Sequence, residues 1–357
     1  MNPVKVADYK CLAQDIIAPE IFDFIDGGAC DEITKNNNRK VFDAITMRPF
    51  CLRDVSQIDT STRLFGSRLT TPLLIAPMAF HQLVDPEGEL STAAAAKLCG
   101  INLVVSCMSN RSLEEIAAHV GSEHLWAQLY IFKDRALTES LIHRIEASGY
   151  KAIVLTVGAP ISGKRDRDIR NQFSLSSKFT TGNFSSNVNN EVIYNFTANQ
   201  LDSSLTWQDI EWVQSITKLP IILKGILNPL DAEQACQLNV AGIVVSNHGG
   251  RQLDTAEPAI MVLPDIGDVV AGRTLVFVDG AIERGTDIFK AIALGADAVL
   301  IGRPVLWALA VGGKNGLETM LQLLLDEFAI AMKLTGCTTI KEIKNFTQFL
   351  NLTGINC

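Results

Sequence analysis

Eight short apolar runs, recurring from residue 72 onward, constrain the fold of this chain more than any other feature. They read PLLIAPM, NLVVSCM, LWAQLY, AIVLTV, PIILKG, GIVVSNHGG, LVFVDG and AVLIGRP, and most end in a polar or glycine-bearing turn. Between them lie segments such as LSTAAAAKLCG, SLEEIAAHV and LTESLIHRIEASGY, with apolar residues at helical spacing and Ser, Thr, Asp or Asn near several starts. Strands that are apolar throughout are buried on both faces, and intervening helices imply a parallel sheet. Eight such units close most naturally into an α/β fold of the (β/α)8 TIM-barrel type; an open doubly wound sheet is the competing arrangement.

On this reading the 357 residues form a single domain: an N-terminal helical extension over 1–70, the barrel over 71–340 and a C-terminal tail over 341–357. The connection after the fourth strand, between Thr156 and Trp207, is long, aperiodic and rich in Ser, Thr and Asn. Loops of that kind in compact domains are commonly lids, and a barrel keeps its chemistry at the C-terminal mouth that such a loop would cover.

Composition excludes some classes of function. A net charge of −8 argues against binding nucleic acid, which draws its affinity from clustered Lys and Arg. The eight cysteines are scattered without a C-x-x-C pair, as expected of reduced thiols in the cytoplasm. There is no signal-peptide core at the start, no peroxisomal address in the last residues, and no apolar stretch of the roughly 18 residues a membrane helix needs.

The residues that follow the strand runs carry the chemistry. They include Ala79, Ser106, Gln128, Tyr130, Thr156, Lys224, His248, Arg251, Asp279, Gly302 and Arg303. Singly, most read as local caps or satisfied structural groups. Together, a Lys, a His and an Arg at neighbouring strand ends place positive or ionisable groups in one apolar cup, which is costly without an anionic ligand. The turns DGAIERG and GRPVLWAL follow strands seven and eight, where barrels commonly hold a phosphate on backbone N–H groups. A phosphate there and a reactive group over the barrel centre point to a mononucleotide cofactor.

From DFIDGGACDE through IAPMAFHQLVDPEGE, QLYIFKDR, GKRDRDIRN and LKGI to SNHGGRQLD and IGRP, the chain resembles the FMN-dependent 2-hydroxy-acid oxidase and dehydrogenase family, which includes glycolate, lactate and hydroxymandelate oxidases. The resemblance implies FMN as cofactor, no metal, and oxidation of an (S)-2-hydroxy acid to the 2-oxo acid, with O2 as acceptor giving H2O2. It implies that His248 is the base, that Arg251 and Arg165 hold the substrate carboxylate, and that Tyr130 contacts the substrate oxygen. Lys224 would stabilise charge developing on the flavin. Ala79 would lie near flavin N5, Ser106, Gln128 and Thr156 along the ring edge, and Asp279, Gly302 and Arg303 on the ribityl chain and phosphate, with Ser246, Gly280 and Arg284 as further cofactor contacts. The family also suggests a homotetramer without nucleic-acid or membrane partners.

Departures from the family pattern bear on function. Phe24 and Met108 stand where glycolate oxidase has Tyr and Trp, which favours a bulkier aryl or branched substrate. Gly158 replaces an aspartate that orients the catalytic histidine, so His248 should be a weaker base and Gly158→Asp should raise turnover. In DGAIERG, Ala281 replaces a glycine and Glu283 a phosphate-binding arginine, which puts FMN affinity at issue and leaves Arg284 as the substitute. The alternative function, a binding or regulatory protein with impaired catalysis, rests on these three positions.

Overall fold

A computed structural model describes residues 2–176, 179, 181–184 and 200–352. The eight apolar runs form eight parallel strands: β1 (Leu73–Ile75), β2 (Asn102–Ser106), β3 (Leu125–Leu129), β4 (Ile153–Thr156), β5 (Ile221–Ile226), β6 (Gly242–Val245), β7 (Leu275–Asp279) and β8 (Ala298–Ile301). They close into a barrel, β8 pairing with β1, so the chain adopts the (β/α)8 fold and not the open sheet. All these strands are buried, apart from partly covered positions at Leu275 and Gly225, as a sheet lined by helices outside and packed side chains inside requires.

The barrel interior shows the two-residue period of a strand. Leu74, Val104, Trp126, Val154, Ile222, Val244, Phe277 and Leu300, one from each strand, pack in a core of their own. The Trp126 ring meets Phe277 edge-on at 5.8 Å and Phe65 at 5.4 Å. Phe65 belongs to a hairpin of strands Thr62–Leu64 and Ser67–Leu69, whose Leu64 and Leu69 join this core. Burying each such side chain contributes roughly 1.5–3 kcal/mol.

Three helices precede the barrel: α1 (Val6–Ile16), α2 (Pro19–Asp26) and α3 (Ile33–Ala44). α1 buries Val6, Tyr9 and Ala13, three and four residues apart, and packs on the long helix α12 (Arg303–Thr335) that follows β8. The connections between strands carry α4 (Glu89–Leu98), α5 (Leu113–Val120), α6 (Arg135–Ala147), α7 (Asp166–Arg170), α8 (Trp207–Ile216), α9 (Pro229–Gln237), α10 (Ala259–Val270) and α11 (Gly285–Ala293). Near the C-terminus, strand Leu350–Asn351 returns to pair antiparallel with Thr46–Met47. Part of the expected lid, residues 177, 178, 180 and 185–199, and the last residues, 353–357, lie outside the described residues. Among the described residues, no helix is long and apolar enough to cross a membrane.

Candidate active site

The parity that fills the barrel also builds its mouth. Two residues beyond Val104, Trp126, Val154, Ile222, Val244 and Phe277, the same inward side of each strand carries Ser106, Gln128, Thr156, Lys224, Ser246 and Asp279. Apolar filling therefore gives way to a polar ring within one strand period. Register aligns neighbours in that ring, with Ser106 opposite Gln128 and Thr156 opposite Lys224. Ser106 Oγ donates to Gln128 Oε1 at 3.2 Å, and Gln128 Nε2 donates to Thr156 Oγ1 at 3.1 Å. Lys224 Nζ donates to Ser246 Oγ at 2.8 Å and pairs with Asp279 Oδ2 at 2.5 Å.

The stretch SNHGGRQLD follows β6 as a turn with three consecutive left-handed residues: His248 at φ +57°, Gly249 at +64° and Gly250 at +71°. A side chain at Gly250 would bring its Cβ to 2.5 Å from the backbone nitrogen of Lys35 in α3, so glycine is obligatory on both counts. Asn247 accepts the Gly250 N–H and exchanges two hydrogen bonds with Asn38, at 3.0 and 2.7 Å. Asp254 accepts the N–H groups of Asp31 and Thr34 near the start of α3. The motif is thus clamped to the N-terminal extension at both ends, and His248 is held with its N–H on Ser246 Oγ at 3.1 Å.

These groups open onto one cavity of about 620 Å³, within the range of small-molecule sites. His248, Tyr130, Arg165, Arg251, Phe24 and Met108 line it, as do Ala79, Ser106, Gln128, Thr156, Lys224, Asp279, Gly280, Gly302 and Arg303. Ser246 stands behind the wall, buried and bonded to Lys224. Arg165 and Arg251 lie over the Phe24 ring at 5.7 and 5.4 Å, and Phe173 stacks on that ring at 4.5 Å. Burial pushes the His248 ring well below its ordinary pKa, and Lys224, Arg251, Arg165 and Arg303 push it in the same direction. Burial also raises the Tyr130 phenol, which stays protonated as a donor.

The structure departs from the sequence expectations at two places. Arg284 does not line the cavity; its guanidinium pairs with Glu327 at 3.0 Å, on the far side of the turn. Gly158 lies against Gly225, where a β-bulge lets Lys224 O accept the N–H of both Val157 and Gly158. A Cβ at 158 would lie 2.7 Å from Gly225 Cα, so the backbone has no room for the expected aspartate. Nor do the nearby carboxylates replace it: Asp166 pairs with Lys164 and Arg170, Asp168 with Arg165, and the charges acting on His248 are the four cations named above.

The sequence reading missed the contribution of the extension. Lys10 of α1 and Lys35, Arg39 and Lys40 of α3 line the cavity beside Glu283 and Trp307. A signal was present in the basic residues Lys35 and Arg39, one helical turn apart, with Lys40 adjacent, shortly after DGGA.

The residues present fit a flavin mononucleotide. Among the described residues, Asp279 Oδ1 is buried without a hydrogen-bond partner, an acceptor suited to a ribityl hydroxyl. Arg303, at the first position of α12, spends its guanidinium on the carbonyls of Ile25, Gly27 and Gly249 and has no carboxylate within 4.0 Å among the described residues. A buried cation beside a helix start is an anion site suited to the phosphate.

Comparisons with known proteins agree with that fit. Residues 13–348 match the family described as FMN-dependent dehydrogenase. The chain is 48% identical to L-lactate oxidase of Nostoc sp., covering 98% of this chain and 99% of that one. It is 43% identical to human 2-Hydroxyacid oxidase 2, over 99% and 100% of the two chains. Among solved structures, mandelate oxidase with (S)-4-Hydroxymandelic acid superimposes with a TM-score of 0.92, at 41% identity and 98% coverage of both chains.

Proposed function

The chain belongs to the FMN-dependent dehydrogenase family, and from that premise we propose that it oxidises an (S)-2-hydroxy acid to the 2-oxo acid, with O2 as the final acceptor and H2O2 as the second product. One observation carries the assignment to an acid substrate: two arginines lie over the Phe24 ring in the same cavity as a buried histidine whose pKa is pushed down. FMN, when bound, supplies the two-electron relay between substrate and oxygen.

The chain's own residues supply binding and proton transfer. Arg251 and Arg165 receive the substrate carboxylate as charge-assisted hydrogen-bond donors. Tyr130 donates its phenol hydrogen to a substrate oxygen. His248 Nε2 or Nδ1 takes the hydroxyl proton, a task open to it because burial and four cations keep the ring neutral at rest. The bound carboxylate offsets Arg165 and Arg251, so the substrate itself makes the imidazolium easier to form. No carboxylate at position 158 is required for that offset.

Phe24, backed by the stacked Phe173, and Met108 give the substrate end an aromatic and adaptable wall, which favours an aryl or branched side chain over glycolate. Assembly as a homotetramer and residence in the cytoplasm complete the proposal. The deciding experiment is anaerobic addition of a panel of 2-hydroxy acids to FMN-loaded protein. Loss of the absorption band near about 450 nm supports the enzyme and names its substrate class. A protein that binds FMN but is bleached by no 2-hydroxy acid would make it a binding protein instead, and glycolate reducing it faster than mandelate would overturn the aryl preference.

A further inference from the structure

The turn after β7 carries an anion into the end of the cavity where Gly302 and Arg303 begin α12. Glu283 lines that cavity, yet among the described residues its carboxylate accepts no hydrogen bond and forms no ion pair within 4.0 Å. Its backbone is fixed from behind. Asp287 Oδ2 accepts the N–H of Glu283 and of Arg284, each at 2.9 Å. Arg39 bonds that same Asp287 at 2.6 Å and the Ala281 carbonyl at 2.8 Å. The side chain is left facing a space shared with cations from three other elements, Lys10 of α1, Arg39 of α3 and Arg303 of α12.

The surrounding charges are of both signs. Lys10 is already paired with Asp26 at 2.7 Å, Arg39 with Asp287 and Asp43, Lys35 with Asp26 and Glu32, and Arg284 with Glu327. Asp279, at the end of β7, is paired with Lys224, and Lys40 lines the exposed side. Arg303 alone among these cations has only neutral carbonyls. A phosphate entering here meets the buried Arg303, which has no carboxylate partner among the described residues, and the carboxylate of Glu283.

We propose that Glu283 competes with the phosphate of FMN for Arg303, Lys10 and Arg39, so that FMN binds together with a proton on Glu283 and is released as the pH rises. The inference rests on FMN being the cofactor. Burial raises the Glu283 carboxyl above its ordinary range, Asp287 adds to that rise, and Arg39, Lys10 and Arg303 oppose it. Uptake of one proton on binding weakens affinity by at most about tenfold per pH unit. The phosphate alone gives the opposite sign, because its second ionisation near about pH 6 favours a cationic site as pH rises.

Dissociation constants for FMN and for riboflavin, measured by flavin fluorescence between pH 6 and pH 8, test this without reference to turnover. The wild-type constant for FMN should rise with pH, and that for riboflavin, which lacks the phosphate, should stay level. Glu283→Gln should abolish the rise and bind FMN at least tenfold tighter than wild type at pH 8; Lys10→Met, which leaves Glu283 in place, should bind FMN more weakly with the rise intact. An FMN constant that is level or falls with pH, or a Glu283→Gln protein that follows wild type, overturns the inference and leaves the cofactor assignment standing. Failure of both flavins to bind at every pH overturns the cofactor assignment and the inference together.

Discussion

Among the titratable side chains of the cavity, His248 in the turn after β6 and Glu283 in the turn after β7 make an instructive pair. Burial drives both toward the neutral form, but the charges around them act differently. At His248 the cations reinforce burial, so the ring is held neutral over a wide pH range. At Glu283 the cations Arg39, Lys10 and Arg303 oppose burial, so its two protonation states lie closer together. A group whose influences agree is fixed for a task; one whose influences conflict is set to respond to what binds.

The largest expected break in that comparison comes from removing the fixed partner. His248→Gln deletes the base without adding charge, and the rate of reduction by a 2-hydroxy acid should fall about 10²–10⁴-fold while FMN is retained. A rate within tenfold of wild type would assign the proton to another group. The pH dependence of kcat/KM sharpens the same point. An unperturbed histidine base loses about tenfold per pH unit below roughly 6.5. Since the His248 pKa is depressed, its neutral form persists at lower pH, and kcat/KM should stay level from pH 8 through 6.5 and decline only well below. An acid limb at or above 6.5 would mean that a carboxylate supports the ring after all.

Gly158→Asp comes next. The missing carboxylate suggests a gain from restoring it, whereas the structure sets a new Cβ 2.7 Å from Gly225 Cα and 3.0 Å from its carbonyl oxygen. Overpacking of that kind costs about 1–3 kcal/mol. The variant should melt several degrees lower and turn over no faster than wild type. Unchanged melting together with faster turnover would show that the strands part easily there and that orientation of His248 limits the rate.

The barrel and its polar ring were legible because both follow from one rule. Once the strands are placed, Trp126 inward puts Gln128 inward, and Ile222 puts Lys224 there too. The glycines of SNHGGRQLD were legible as a tight turn, but the reason Gly250 is obligatory, the backbone of Lys35, lies over 200 residues away in sequence. The same distance hid Lys10 and Arg39, which read locally as solvated charges on helices. Arg284 failed for a related reason: adjacency to Glu283 made it look interchangeable, while the start of α11 turns consecutive side chains to different sides and delivers it to Glu327. Local pattern reveals which side of an element a residue occupies, and only packing reveals what waits across from it.

Ala281 offers the smallest and cleanest test. Its φ of +57° equals that of His248, so the two mouth turns each hold a residue with a side chain in the left-handed region. At His248 the conformation aims the reactive ring, and Ser246 and Asn247 hold the turn. At Ala281 the side chain is a methyl group that aims nothing, and the turn is held through its carbonyl by Arg39. The left-handed penalty of about 1 kcal/mol or more is partly offset by the extra freedom glycine gives the unfolded chain, so Ala281→Gly should stabilise by less than about 1 kcal/mol. A thermal melt of the FMN-loaded protein should move up by a degree or two, with the pH dependence of FMN binding unchanged because Glu283 keeps its place. A lower melting temperature would show that the methyl group packs usefully against the cavity wall, and that the turns after β6 and β7 are shaped by the same kind of constraint.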